Sequence, residues 1–185
     1  MLTAEDKAER SRQRMLESAR QYQLGTYSGR FVAPVFQQMI RAEAASWSDG
    51  IFPAIVQGEI AMVARNRGQC VCATCGKILP WKGNGPWKEN ALHTGHFLAS
   101  RRNSILFEED NVAPQCNHCN YHRDGEQQLF RKWILSVRGP EVVERLEKLK
   151  ATTRTFTREE LVDMRIAYKL RLDNAIAAMA EGVWR

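Results

Sequence analysis

Residues 107–125 read FEEDNVAPQCNHCNYHRDG, and the way this stretch is read decides the fold. Its centre, Cys116-Asn-His-Cys119, is a CxxC pair, and a second pair, Cys72-Ala-Thr-Cys75, lies 40 residues upstream. Each pair suits a tight knuckle that presents two thiolates to one metal, and two knuckles complete the tetrahedron zinc prefers. The alternative, a redox pair, needs one CxxC opening a helix after a strand, as in thioredoxin-like motifs. A site of this kind contributes roughly 10 to 16 kcal/mol of folding free energy in small zinc peptides. That is enough to hold together a middle region poor in apolar residues. Cys70 is the odd cysteine and reads as incidental; a ligand register using Cys70 and Cys72 stays open.

Between the pairs, HTGHF at 93–97 sets His93 and His96 three positions apart. If four thiolates satisfy the zinc, both imidazoles are available for other work. The competing account, Cys72, Cys75, His93 and His96 as a Cys2His2 site, leaves Cys116 and Cys119 without a purpose. The surrounding ALHTGHFLAS alternates as a strand does. That puts His93 and His96 on opposite faces unless Gly95 bends or bulges the strand and brings the rings toward one site.

Outward from this centre the chain reads as helical. Residues 1–30 form a basic N-terminal arm or solvated helix: Glu5, Asp6 and Glu9 come early and Arg10, Arg12, Arg14 and Arg20 later, which suits a helix dipole, but apolar positions are sparse. Residues 31–66 read as a helical segment, with Pro34 opening one helix and a second following Pro53, where Val56, Ile60 and Val63 share a face. Residues 67–138 hold the zinc-bound core. Its last helix carries Phe130, Trp133, Ile134 and Val137 on one face and ends at Gly139-Pro140. Residues 139–185 are C-terminal helices: a short one marked by Val142, Val143, Leu146 and Leu149, then one opened by the capping box TREE, with Thr157 as N-cap and Glu160 as partner. The stripe Leu161, Met164, Tyr168, Leu172, Ile176, Met179 on that last helix is core or a dimer seam.

The 185 residues suggest one domain with or without an appended arm. Lys+Arg exceed Asp+Glu by 27 to 21, and a pI near 9.2 favours a polyanionic partner, of which nucleic acid is the commonest. No apolar run approaches the length of a membrane span, and the first residues lack the order of a secretory signal. The expected location is therefore the cytoplasm, where five cysteines are poor material for disulfides.

Asn111 precedes the second knuckle and Asn120 follows it directly. A histidine at a strand end, an asparagine in a loop and an asparagine opening a helix after CxxC resemble the ββα-metal fold of HNH endonucleases. Within that group the chain resembles the NinG/Rap recombination proteins of lambdoid phages. Their pattern appears here as CATCG at 72–76, GHF at 95–97, SR at 100–101, FEEDNVAPQC at 107–116 and CNYHRDG at 119–125. The likeness runs from about residue 53 to 181.

The resemblance implies His96 as general base, Asn120 as a ligand of a catalytic divalent metal, and Asn111 as the residue whose hydrogen bonds fix the loop and aim the histidine. His93 stands where the family pattern has an aspartate. Imidazole in place of carboxylate implies softer binding of Mg²⁺, with Mn²⁺ the better fit. Asp124, one helical turn beyond Asn120, is a further candidate ligand, or simply turns the chain with Gly125. His122 is a candidate phosphate contact, while His118 and His122 as exposed helix residues is the plainer alternative. Arg101 and Arg102 are candidate clamps for backbone phosphates, or ordinary solvated arginines.

These residue types suit phosphodiester hydrolysis. Histidine supplies a base near neutral pKa, and a divalent ion supplies charge for the pentavalent oxygens and the leaving oxygen. The expectation is an α+β protein: a zinc-stabilised ββα-metal (HNH-like) core with mostly helical flanking segments. It would bind structural Zn²⁺ and catalytic Mg²⁺ or Mn²⁺, and cut branched DNA such as Holliday junctions and D-loops. Symmetric cutting calls for a homodimer, and the family points to a phage or prophage protein in the bacterial cytoplasm. The competitors are an HNH nickase or sequence-directed endonuclease, and a non-catalytic zinc module that binds DNA.

Overall fold

The computed structural model describes residues 3–46, 50–83, 90–99 and 103–180. Helix α1 (Ala4–Arg20) opens on a capping box in which Thr3 and Asp6 satisfy each other's backbone N–H groups. Helix α2 (Leu24–Tyr27) runs through a π turn at Ser28–Val32 directly into α3 (Ala33–Ser46). The widened turn lies immediately before Pro34, and Ala33 N–H reaches back to Ser28 O. Proline cannot donate to the helical ladder and crowds the carbonyl four residues back, so a looser turn at this place lets the helix continue past it.

The segment expected to be a second helix after Pro53 is instead a β-hairpin. Strand β1 (Ile51–Val56) pairs antiparallel with β2 (Glu59–Ala64), with Ile55 opposite Ile60 and Phe52 opposite Val63. The reason is local chemistry that outweighs the 56/60/63 spacing. Ile51, Ile55, Val56, Ile60 and Val63 are β-branched and suit a pleated surface. Gln57 and Gly58 both take positive φ, 52° and 85°, the two-residue turn whose twist matches a hairpin. The 31–66 helical segment is therefore helical only to Ser46. The hairpin belongs with the core: Ile55 N–H donates to Ala73 O at 2.8 Å, and Trp133 Nε1 donates to Pro53 O at 2.6 Å.

Two further small antiparallel pairs follow. Strand β3 (Gln69–Val71) pairs with β4 (Ile78–Pro80), and β5 (Leu92–His96) pairs with β6 (Val112–Cys116). After β6 come a π turn at His118–His122, then α4 (Gln127–Arg138), α5 (Pro140–Lys150) and α6 (Arg158–Ala180). The class is α+β, as expected. The TREE capping box is present: Glu160 N–H donates to Thr157 Oγ1 at 3.1 Å, and Thr157 N–H to Glu160 Oε2 at 2.7 Å.

Three groups of buried side chains hold these elements. Phe36 and Met39 of α3 pack with Phe107, Phe156, Leu161 and Leu172. Phe52, Val71, Phe97, Phe130, Trp133, Ile134 and Leu146 pack between the β1–β2 hairpin, the β5–β6 pair and α4–α5. The third surrounds the cysteines. Much of the α6 stripe is core rather than seam: Leu161 and Leu172 are buried, and Met164, Tyr168 and Met179 pack against the buried groups, while Ile176 faces outward. The N-terminal helix is solvated but not loose. Arg12 grips Asp163 through two bonds of 2.7 and 3.1 Å, and Arg158 donates to the carbonyls of Ala19 and Tyr22. These contacts fix α1 along α6.

Candidate metal centre and adjoining cleft

The first knuckle is a consequence of its own turn. Strand β3 delivers Cys72, whose carbonyl accepts from Gly76 N–H at 2.9 Å while its N–H donates to Lys77 O at 2.8 Å. Gly76 has φ 72°, and a Cβ there would meet Val56 Cγ2 at 2.7 Å, so both the turn and the hairpin behind it require glycine. Ala73 N–H donates to Pro114 O at 2.9 Å and staples this knuckle to β6, which ends in Cys116 of the second knuckle.

The Sγ atoms of Cys72, Cys75, Cys116 and Cys119 all lie within 4.8 Å of one another, and those of Cys75 and Cys116 are 3.7 Å apart. A tetrahedral zinc with bonds of about 2.3 Å separates its sulfurs by about 3.8 Å, so this donor set can coordinate zinc. Sulfur hydrogen bonds from Cys116, Cys119 and Cys75 push the Cys72 thiol strongly down, while the same cluster pushes Cys119 up. No histidine joins the cluster among the described residues, which excludes the Cys2His2 account. Cys70 stands apart: its thiol donates to Arg41 O at 3.1 Å, and burial pushes its pKa up to about 12.

The β5–β6 ladder is regular from Leu92 opposite Cys116 to His96 opposite Val112, so Gly95 makes no bulge and the two histidines keep opposite faces. They nonetheless line one cleft of about 330 Å³ together with Gln37, Thr94, Ala99, Asn120, Asp124, Gly125 and Gln127. Among the described residues strand β5 pairs with β6 alone, and α3, the π turn and the turn at Asp124 supply the other walls of the cleft.

His96 is half-buried, and its Nε2 lies 3.1 Å from Leu106 O. A carbonyl only accepts, so Nε2 carries the proton and Nδ1 holds the lone pair. Burial lowers the pKa of His96 below the usual 6.5, opposed in part by the Leu106 bond, so the ring is neutral at pH 7. Asn111 is fully buried at 0% exposure. Its Nδ2 donates to Leu98 O and Ile105 O at 3.0 and 3.2 Å, and its Oδ1 accepts from Leu98 N–H at 2.8 Å. The asparagine thereby ties together both ends of the loop that follows His96.

His93 Nε2 lies 3.1 Å from Asn117 Oδ1, and Asn117 Nδ2 lies 3.3 Å from His122 Nε2. His122 is thus exposed but engaged with the second knuckle; His118 is exposed as well. Asn120 opens no α-helix: it sits in the five-residue π turn, and α4 begins only at Gln127. Asp124 is likewise not a helical turn beyond it. Its φ of 48° puts it in a left-handed stretch with Gly125 and Glu126, because the chain must reverse between the knuckle and α4. Both residues still line the cleft. Arg101 and Arg102 lie outside the described residues.

Sequence reasoning missed Gln37, Thr94, Gln127 and the Leu106 carbonyl. A backbone oxygen has no sequence signal, and Gln37 arrives from α3, remote in the chain. Gln115 and Asn117, inside the quoted motif, carried a signal that went unread.

No curated protein and no solved structure matches the chain. Among the described residues no helix is long and apolar enough to cross a membrane. The family model described as Bacteriophage Lambda NinG protein matches residues 55–176, more than half of the 185, and spans both knuckles, the cleft strands and most of α6. The chain therefore belongs to the NinG family.

Proposed function

We propose that the protein is a metal-dependent DNA endonuclease of HNH type, acting on branched recombination intermediates such as Holliday junctions and D-loops. The observation that carries the reading is His96: a neutral imidazole in an open cleft, with Nε2–H held by the Leu106 carbonyl and Nδ1 left basic. That is the state a general base needs near neutral pH. The order β5, β6, then a turn and α4 supports a ββα core, and the four thiolates supply a zinc scaffold for it. Family membership supports the phage setting and, through the likeness of the motifs, the substrate class.

In this mechanism His96 takes the proton from the water that attacks phosphorus. Asn111 keeps the loop after the strand closed and so holds the Leu106 side of the cleft against the ring. His93, Asn120 and Asp124 offer imidazole, amide and carboxylate donors in the same cleft, a set that suits Mn²⁺ or Mg²⁺. Such an ion, when bound, supplies charge for the phosphoryl oxygens and the leaving 3′ oxygen. Symmetric cutting of a junction requires two such centres, hence a homodimer on DNA.

The test is cleavage of four-way junctions, flaps, single strands and linear duplex by zinc-loaded protein with Mg²⁺ or Mn²⁺. The expected result is preference for the junction, with His96→Ala binding it normally but cutting about 10²- to 10⁴-fold more slowly. Binding without any cleavage by the wild-type chain would instead identify a zinc DNA-binding module.

A further inference from the structure

We propose that Gln115 is a positioning residue for the cleft: its buried carboxamide is the strut that sets the Asp124–Gly125 wall against the histidine strand and ties both to the first cysteine knuckle. The inference rests on the nuclease reading of the cleft.

Gln115 is the penultimate residue of β6, with 0% exposure, directly across the ladder from His93. Its Nε2 donates to Gly125 O at 2.9 Å and to Thr74 Oγ1 at 3.1 Å. Thr74 lies within the first CxxC, its hydroxyl 3.5 Å from Cys72 Sγ. Because Gly125 O only accepts, the amide must face it with nitrogen. The oxygen is then turned toward β5, where it finds no hydrogen-bond partner among the described residues. It presses on Gly95, between the two histidines, so closely that a Cβ at residue 95 would collide with Oε1 and Cδ. An orphaned, buried amide oxygen is unfavourable, and an apolar side chain of the same length would fill this space at lower cost. The carboxamide is explained by its two donors.

Those donors act where the backbone most needs holding. Asp124, Gly125 and Glu126 are left-handed in succession, with φ of 48°, 81° and 49°. L-residues resist this conformation, which persists only where surroundings fix it. Both backbone polar groups of Gly125 are held: its N–H donates to Cys119 O at 2.9 Å and its C=O accepts from Gln115. The wall carrying Asn120 and Asp124 is therefore registered to both knuckles, and the histidine strand packs on the same carboxamide. Without it the thiolates keep their metal while the turn relaxes away from His93 and His96.

The experiment uses full-length, zinc-loaded protein and junction DNA with Mn²⁺. Gln115→Met keeps length and volume and removes both donors. The strut predicts zinc retained at the wild-type level, KM for DNA unchanged within about twofold, kcat lower by about 10- to 100-fold, and a higher Mn²⁺ concentration for half-maximal rate. Gly95→Ala, which displaces the carboxamide, should slow cleavage comparably, and Gly95→Ala/Gln115→Ala should stay slow although the collision is gone. Recovery of wild-type kcat in the double variant would make the role packing alone and overturn the proposal. So would an unchanged kcat and Mn²⁺ dependence in Gln115→Met, or loss of its zinc. If the wild-type chain cuts nothing, the nuclease reading fails instead; the strut is then read from the Gly125 amide, whose hydrogen exchange should be faster in Gln115→Met and is overturned by equal protection.

Discussion

The Nε2–H of His96 donates to the carbonyl oxygen of Leu106 at 3.1 Å, and this one bond decides which nitrogen of the ring is basic. Leu106 directly follows Ile105, whose carbonyl Asn111 holds, so the His96 ring and the Asn111 side chain are parts of one arrangement.

The pH dependence follows from the burial of that ring. His96 has a pKa below 6.5, so its base form is populated from moderately acidic pH upward. With metal saturating, kcat/KM should rise as pH increases through the lowered pKa and be flat by neutrality. An acid limb centred above pH 6.5 would contradict the burial argument. The same shift affects stability: below pH 6.5 the unfolded chain takes up a proton that the folded ring refuses. Urea unfolding should thus show stability falling as pH drops from 6.5 toward the lowered pKa, with a shallower fall in His96→Gln.

Asn111→Ala should be costly well beyond its size. It strands the Leu98 N–H and the Leu98 and Ile105 carbonyls, each previously bonded to this side chain. Unsatisfied buried groups cost about 1 to 3 kcal/mol each, with partial relaxation, so a loss of about 2 to 4 kcal/mol is expected. Urea denaturation measures it, and kcat should fall in the same variant under conditions where it remains folded.

Removal of the knuckle metal should unfold the middle of the chain rather than merely slow it. A strong chelator is expected to release about one zinc per chain, with loss of the near-ultraviolet dichroism of Trp133 and of cooperative thermal unfolding. Cys119→Ser should reproduce this without chelator. Cys70→Ser should keep full zinc content, because its thiol bonds Arg41 O and not the cluster.

The hairpin gives a test of the fold correction. Gln57 occupies a left-handed position that Asn tolerates better, directly before Gly58. Gln57→Asn should therefore stabilise the protein, by less than the roughly 1 to 2 kcal/mol that an L-residue pays in this conformation. A helix over this segment would predict no gain, and thermal melts of the two proteins separate the cases.

Sequence alone determined what depends on neighbours a few residues away or on strict spacing. The two CxxC knuckles, the capping box of Thr157 and Glu160, the end of α4 at Gly139 and the start of α5 at Pro140 are of this kind, because turn and cap geometry is set by adjacent residues. The β1–β2 hairpin was misread since Val56, Ile60 and Val63 also fit helical spacing and a glutamine is an unusual residue at a positive-φ turn position; hydrogen bonds from Ile55 to Ala73 and from Trp133 to Pro53 then seat the hairpin on the core. The cleft could not be read locally either. His93 and His96 stay on opposite faces of β5 and line one cleft because α3, the π turn and the left-handed turn at Asp124 close around the strand. Local chemistry chose the ligands and the candidate base, whereas long-range packing decided which of them share a space.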